Sequence, residues 1–464
     1  MMQSEPMFQA SWPVHSYFDS TLGQDGQNID FFTSEEHHEV YSSITMNGFD
    51  DICRWLCDDV QEMEEIPTDS FEWSPSMSMN SSDACTYVPY VTASSVVDDV
   101  MEIDSHTGIQ NLLTAYAEAM SLGQKELAKV IQKCVCQRAS PVGPVLERLA
   151  LNLFQNDENQ EKDYIVQESL RNFKTTFRAF YEIFPYGRFA HFTANSAILE
   201  SIPTHVASIH IVDFDLCEGS QWPPIIEAIA RIKKTLIITS IKLDQDPESH
   251  FEQKRWHLCN FARSFGLNLK VQEMDMSQMG KEMDERIPGS EFLVFNCMVG
   301  LPHMGRTRKT TQVMDFLNIA KWVLAKNEGV ITFGDGEEER TENYTDFFSF
   351  FNKNLAHYIA LYESMEWGFP RYLNEGRMAM ESLFVWPFIN SKSWLQKWEE
   401  GRESMDSQKF LGLKGVELGK ESWNEQRELV KEGETPYGIV IGETGNEIVL
   451  EWKGIPMVRV SAWM

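Results

Sequence analysis

Two acidic residues and one glycine occupy the positions where a doubly wound α/β protein would bind a cofactor. Asp213 ends an apolar run, Gly219 lies in the turn that follows, and Asp244 comes after the next apolar run. In folds of this kind the turn after the first strand approaches the cofactor, and an acid after the second strand binds its ribose. Asp213, Gly219 and Asp244 are therefore the candidate cofactor-binding residues, and the chemistry would be methyl transfer from S-adenosylmethionine.

The composition of the turn opposes that chemistry. It contains one glycine, so the dinucleotide-binding fingerprint is absent. Cys217 and Glu218 stand where the backbone would have to approach a ligand closely, and Glu218 adds negative charge. We therefore predict no cofactor and no enzymatic activity. The alternative is an S-adenosylmethionine-dependent methyltransferase with a degenerate cofactor turn, and a degenerate small-molecule pocket also stays open.

Other residues with catalytic or metal-binding chemistry have simpler interpretations. His210 lies inside an apolar strand and is expected to be a core residue. His37 and His38 stand among glutamates in a segment predicted to be disordered, and the acids at 335–339 are predicted to form an exposed loop. The eight cysteines have no convincing zinc spacing, which favours reduced thiols in an intracellular protein. No metal site and no catalytic residue is predicted.

Alternating strands and helices must position these residues. The segment 209–232 predicts a strand, a turn and a helix that begins at Pro223-Pro224. The pattern predicts an α/β fold: a Rossmann-like, methyltransferase-type core sheet with an antiparallel C-terminal hairpin, an N-terminal helical cap and a disordered acidic tail. Further strands are predicted at 236–241, 267–271, 292–296, 329–334, 437–442, 448–452 and 458–460.

The charge distribution divides the chain. Residues 1–104 hold 21 acidic residues and one basic residue, and so carry −20 of the net charge of −30. This composition predicts a disordered acidic region, followed by the helical cap at 105–205 and the α/β core at 206–464. Acidic–aromatic stretches of the first region either fold onto partners, as activation segments do, or are simply solvated. Composition does not decide between these two.

An acidic protein is poorly suited to binding DNA unaided, because phosphate contacts need clusters of lysine and arginine. The densest basic runs, at 231–234 and 306–309, hold three charges each. If a partner supplies the basic surface, reversing the charges of Arg306, Arg308 and Lys309 is expected to leave the salt dependence of DNA binding by the complex nearly unchanged. No window approaches the roughly 18 apolar residues of a membrane span, so no membrane association is predicted.

Three spaced motifs resemble the GRAS family of plant transcriptional regulators. They are Ile209-His210-Ile211-Val212-Asp213, then Gln221-Trp222-Pro223, and Val460-Ser461-Ala462-Trp463 close to the C terminus. The resemblance extends from about residue 109 to the C terminus. It implies a non-enzymatic transcriptional regulator in the nucleus. It also implies structural roles for His210, Asp213, Gln221, Trp222, Pro223, Ser461 and Trp463.

The resemblance also implies a pairing surface in a leucine-rich region. It implies pairing with another GRAS protein, as a heterodimer or with a second copy, and indirect contact with promoter DNA through that partner. As bare sequence a leucine stripe is more often core than interface, so we expect one face to serve both purposes. The predicted interface residues are Leu112, Leu113, Tyr116, Leu146 and Leu149.

Three further features resemble the nodulation-signalling branch of the family. These are Pro302-His303, the turn Phe333-Gly334-Asp335-Gly336 and the acidic N-terminal region. The resemblance implies a role in root symbiosis and in the expression of strigolactone biosynthesis genes. Residues 300–305 contain two glycines and a proline where many members continue into a second leucine-rich stretch. A second leucine-rich pairing surface is therefore not expected.

Overall fold

A computed structural model describes residues 98–154, 173–243, 251–284, 291–336, 346–369, 373–403 and 412–464. Predictions about residues 1–97, including disorder and the His37-His38 pair, lie outside the described residues, as does Asp244. The described strands are β1 (Ser208–Asp213), β2 (Thr235–Lys242), β3 (Leu269–Asp275), β4 (Phe292–Val299), β5 (Gly329–Asp335), β6 (Tyr437–Ile441), β7 (Glu447–Trp452) and β8 (Ile455–Trp463).

The described helices surround these strands. Those before β1 are α1 (Asp98–Ser121), α2 (Lys125–Cys136), α3 (Val145–Phe154), α4 (Phe173–Ile183) and α5 (Tyr186–Ser201). Those between β1 and β5 are α6 (Trp222–Arg231), α7 (Phe251–Ser264), α8 (Met276–Asp284) and α9 (Thr310–Leu324). Those after β5 are α10 (Phe347–Gly368), α11 (Asn374–Phe384), α12 (Ser391–Glu403) and α13 (Lys420–Leu429).

The strands form one mixed sheet in the order β3-β2-β1-β4-β5-β8-β7-β6. Neighbours among the first five strands are parallel, whereas β8 pairs antiparallel with β5 and with β7. β4 is buried at every position, as expected of a central strand covered on both faces, whereas β3 at the edge alternates between buried and exposed residues. The predicted α/β fold with an antiparallel C-terminal hairpin is confirmed.

Helices cover the two faces of this sheet. Trp222 and Ile225 of α6 pack with Ile209 and Ile211 of β1 on one face. Phe316 of α9 packs on the other face with the side chains of Val212, Phe214 and Phe295. Because successive strand residues point to opposite faces, β1 contributes to both cores. The chain order reverses between β1 and β4, and such a switch point opens a crevice at the carboxyl ends of the two strands.

The helical cap is assembled from two separated stretches of chain. Tyr116 of α1 contacts Phe154 of α3 edge-on, with ring centroids 4.8 Å apart. It also lies 5.6 Å from the ring of Phe351 in α10. The predicted cap at 105–205 therefore lacks α10, which covers the apolar face of α1. The predicted boundary after residue 104 also falls within α1, which begins at Asp98.

Helix length and hydropathy bear on the predicted absence of a membrane span. Among the helices that the structure describes, none is both long and apolar enough to cross a bilayer.

Candidate functional site

Asp213, the last residue of β1, lies buried at the switch point, where both of its carboxylate oxygens are bonded by the protein. The indole Nε1 of Trp222 donates to Oδ2 at 3.0 Å. The amide Nδ2 of Asn296 donates to Oδ1 at 2.9 Å. Trp222 reaches this position because α6 begins directly after the turn that follows β1. The carboxylate of Asp213, a candidate cofactor ligand by sequence, therefore accepts hydrogen bonds from two neighbouring side chains.

An amide network fills the rest of the crevice. Asn296 and Gln221 exchange two hydrogen bonds, of 3.1 Å from Gln221 Nε2 and 3.0 Å from Asn296 Nδ2. The hydroxyl of Thr332 donates to Asn296 Oδ1 at 2.8 Å, and Gln221 Nε2 lies 3.2 Å from Asn195 Oδ1. Since buried polar groups need such partners, the network fixes the relative positions of β1, β4, β5 and α5.

The pKa of Asp213 is raised to about 7, mainly by burial and also by the nearby charge of Asp215, although the bonds from Asn296 and Trp222 oppose the rise. Removal from water disfavours the charged form of any carboxyl group. A carboxyl whose pKa is raised in the folded state stabilises the fold fully below its unfolded pKa. That contribution is lost as the pH rises through the folded pKa.

The expected pH dependence separates Asp213→Asn from the parent chain. Asparagine stays neutral, so its stability relative to the parent should improve as the pH rises from about 4 to 7, by at most about 1.4 kcal/mol per pH unit. Urea unfolding at several pH values measures this difference. Asp315→Asn makes the same chemical change on the exposed face of α9 and serves as the control. If the stabilities of both variants relative to the parent changed with pH in the same way, the raised pKa of Asp213 would be contradicted.

Asp215 forms a second buried charge cluster two residues further on. Arg306 donates to this carboxylate through both Nε, at 3.2 Å, and a terminal nitrogen. Arg308 donates from Nε at 2.8 Å and from a terminal nitrogen at 2.7 Å. Burial alone would raise the pKa of Asp215, but the two guanidinium charges hold it below its ordinary value. The cluster ties the segment before α9 to the end of β1.

The turn after β1 uses its own backbone donors. The Cys217 N–H donates to Asp215 Oδ1 at 3.0 Å, and the Gly219 N–H donates to the Leu216 carbonyl at 2.8 Å. Cys217 and Gly219 have φ values of 48° and 76°, in the left-handed region where glycine is favoured. Burial raises the pKa of the Cys217 thiol to about 12, so the thiol is neutral. These amides therefore already have acceptors where a phosphate-binding turn would offer them to a ligand.

The remaining motif residues lie in the core or at its margin. His210 is buried, and its Nε2 lies 2.7 Å from the Thr239 hydroxyl. Pro223 occupies the first turn of α6, as predicted from its missing N–H. Trp463 ends β8 half-buried, and its indole N–H donates to the Ser461 hydroxyl at 2.9 Å.

The leucine-rich region requires a correction. Four of the five predicted interface side chains are buried inside the chain itself, and Leu112 is half-buried against the same core. The helical spacing marked the core face of α1 and α3, because the residues that cover a helix also recur every three to four positions. A partner cannot reach the four buried side chains without opening the fold. They are Leu113, Tyr116, Leu146 and Leu149.

The segment between β4 and α9 is compact. Pro302 and His303 lie in a short 3₁₀ turn, and the buried ring of His303 packs edge-on against His191 at 4.9 Å. Gly305 has φ of 61°, and a Cβ there would lie 2.7 Å from the Leu383 carbonyl oxygen. Gly305, which stands where many family members continue into a second leucine-rich stretch, is therefore required by the close approach of α11.

Sequence reasoning missed the residues that complete both clusters. Asn296 stands as a lone amide in the otherwise apolar strand β4, and that mismatch was the signal for a buried polar network. Asn195 lies on the buried part of α5, but that helix contains several other polar residues, so its sequence does not single out Asn195. Arg306 and Arg308 were interpreted as a surface run, because their acidic partner lies about 90 residues earlier in the chain.

These features define the class: a doubly wound α/β domain whose switch-point crevice is occupied by its own side chains. The chain belongs to the GRAS domain family, whose model matches residues 109–464. This places it among the plant GRAS regulators.

Individual relatives refine that placement. The chain is 28% identical over 391 residues to protein NODULATION SIGNALING PATHWAY 2 of Medicago truncatula, covering 76% of this chain and 75% of the relative. It is 26% identical over 394 residues to DELLA protein RGL3 of Arabidopsis thaliana, covering 80% and 72%. The CurJ carbon methyltransferase structure matches at 11% identity with a TM-score of 0.25, covering 78% and 69%. A TM-score this low says nothing about function.

Proposed function

We propose that this chain is a nuclear, non-enzymatic transcriptional co-regulator that acts by pairing with a second GRAS protein. Its similarity to the NODULATION SIGNALING PATHWAY 2 relatives supports a role in root symbiosis signalling. The same branch resemblance supports a role in the expression of strigolactone biosynthesis genes.

The filled crevice carries the non-enzymatic part of the proposal. A cofactor would have to displace the bonds that Asp213, Asn296 and Gln221 make with one another. It would also find the turn N–H groups of Cys217 and Gly219 already bonded. Leaving buried polar groups without partners costs about 1–3 kcal/mol each, so ligand entry at this position is strongly disfavoured.

An exposed apolar surface on the cap supports pairing. Leu127 and Val130 of α2 are 49% and 57% exposed, and the flanking Leu122 and Val142 are 65% and 71% exposed. Leu127 and Val130 lie three positions apart, so they share one stripe on the helix. We call the stripe of Leu127 and Val130 the α2 surface. Apolar side chains open to water favour association, because covering them releases ordered water.

The α2 surface predicts the outcome of a pairing experiment. The double variant Leu127→Glu/Val130→Glu should weaken binding to a GRAS partner by on the order of 100-fold or more. Each apolar side chain buried at an interface contributes about 1.5–3 kcal/mol, and the new carboxylates would oppose burial. The measurement is the dissociation constant of the complex, and self-association of this chain is measured in the same way.

Trp256→Glu is the matched control for that experiment. This residue is 53% exposed on α7, which packs on the sheet and not in the cap. Trp256→Glu should leave the affinity of this chain for the GRAS partner unchanged. Equal binding by the parent chain and the α2 variant would exclude this surface from pairing.

DNA binding should come from the partner. In a gel-shift titration at two salt concentrations, this chain alone should not bind promoter DNA, whereas the complex should bind with the salt dependence of the partner. Arg306 and Arg308 are unsuitable for testing this point, because both are committed to Asp215. Charge reversals at the exposed Lys233 and Lys309 should leave the salt dependence unchanged. Specific nanomolar binding by this chain alone would contradict the proposal.

A further inference from the structure

A small cavity lies beside the filled crevice, at the carboxyl ends of β1 and β2. Its volume is about 50 Å³, and its wall combines apolar side chains of the turn and of α7 with charged ones. The carboxyl ends of strands next to a switch point are the general ligand position of doubly wound sheets. The polar lining residues are Asp215, Ser240, Lys242, Lys254, Glu273 and Arg306.

Positive charge prevails around this cavity in an otherwise acidic protein. Lys242, Lys254 and Arg306 line it, and Arg308 stands behind Asp215. Asp215 is compensated by the two arginines, and Glu218, outside the lining, offsets part of the Lys254 charge at 3.4 Å. Glu273 is the remaining acid, and it is exposed. The surrounding side chains thus favour an anion, whereas the chain as a whole carries a net charge of −30.

The size of the cavity restricts that anion. By the same measure of volume, one water molecule requires roughly 10–15 Å³, so the space of about 50 Å³ holds about four. A single phosphate group, with five heavy atoms, matches this volume. A complete nucleoside cofactor does not, and its remaining atoms would have to lie outside the cavity.

We propose that this cavity binds a phosphate group, either as free phosphate or as the phosphomonoester of a small molecule. The ammonium groups of Lys242 and Lys254 bind the anion, and the hydroxyl of Ser240 donates to it, while Arg306 stays paired with Asp215 at the cavity wall. Hydrogen bonds between charged donors and phosphate oxygens are about twice as strong as neutral ones. The bound group would connect the end of β2 to the first turn of α7.

A binding titration with the full chain and no partner protein tests this inference. The probes are inorganic phosphate and glycerol phosphate. Their binding is measured by calorimetry and by the change in melting temperature of the chain. A ligand that binds only the folded state raises the melting temperature, and the rise increases with the logarithm of ligand concentration above the dissociation constant. We expect saturable binding of at least one probe. Tighter binding of the ester would identify a phosphorylated small molecule as the ligand, and equal binding would identify the free anion.

The double variant Lys242→Gln/Lys254→Gln locates the site. It should weaken binding by about tenfold or more, while Lys270→Gln, which changes an exposed lysine of β3 outside the cavity, should not change it. Both lysines of the double variant have solvent access, so the fold should persist, and the unliganded melting temperature checks this. Equal weakening in both variants, or no saturation at millimolar probe, would overturn the inference. Neither result would bear on pairing through the α2 surface.

Discussion

Asp215→Ala is expected to destabilise the folded chain by about 3–5 kcal/mol, the usual cost of removing one partner from a buried ion pair. The side chain of Arg308 is 3% exposed and would lose the carboxylate that it contacts through two nitrogens. Arg306 is 29% exposed and could turn toward water, so most of the loss comes from Arg308. Urea unfolding at pH 7, followed by near-ultraviolet circular dichroism, gives the free energy of unfolding.

Two further variants make this result specific. Glu126→Ala breaks an ion pair with Lys129 that lies open to solvent, and it should leave the free energy of unfolding close to that of the parent chain. Asp215→Leu combined with Arg308→Met removes both members of the most buried ion pair, and it should recover part of the lost stability because the remaining cation, Arg306, is 29% exposed and can be solvated. If Asp215→Ala cost no more than Glu126→Ala, the buried cluster would not hold the segment before α9.

Trp222→Ala should destabilise the chain by a similar amount, about 3–5 kcal/mol, because it removes a fully buried aromatic side chain and leaves a cavity. The same change removes the indole donor to Asp213. Trp222→Phe keeps most of the apolar volume but not the donor, and it should cost about 1–3 kcal/mol, the penalty for an unsatisfied buried group. The difference between the two variants separates packing from hydrogen bonding.

Trp322→Ala provides the surface comparison for this series. Trp322 of α9 is 44% exposed, and the Lys326 ammonium lies 4.0 Å from the centroid of its ring. An exposed cation–π contact contributes about 0.5–1 kcal/mol, so this variant should stay close to the parent. A loss in Trp222→Ala no larger than the loss in Trp322→Ala would show that the switch-point crevice does not depend on the indole.

Two different kinds of observation support the proposal that the crevice binds no cofactor: the residues of the turn and the hydrogen bonds that fill the crevice. The sequence placed Cys217 and Glu218 where glycines would be needed. The structure adds that the Cys217 and Gly219 amides are bonded within the turn and that Trp222 reaches back to Asp213. A single Cys217→Gly change would therefore not create a cofactor site, because Trp222 would still contact Asp213.

The sequence by itself determined the elements of the core sheet. The predicted parallel strands match β1, β2, β4 and β5 within a few residues, because an apolar run long enough for one buried strand is bounded by polar or turn residues. The third strand was placed about two residues early and too short. β3 is an edge strand, and its alternating exposure weakens the apolar signal at its end.

Only the tertiary structure decided which face of each cap helix is buried inside the chain and which charged side chains form ion pairs. The spacing of Leu113 and Leu149 fits a core more often than an interface but does not decide between them, and the structure buries both side chains in the core that α1 and α3 share with α10. Asp215 and Arg308 lie 93 residues apart in the chain. The sequence around either residue does not predict this ion pair. The electrostatic attraction between the two charges becomes strong only when folding brings the distant segments together and buries both side chains.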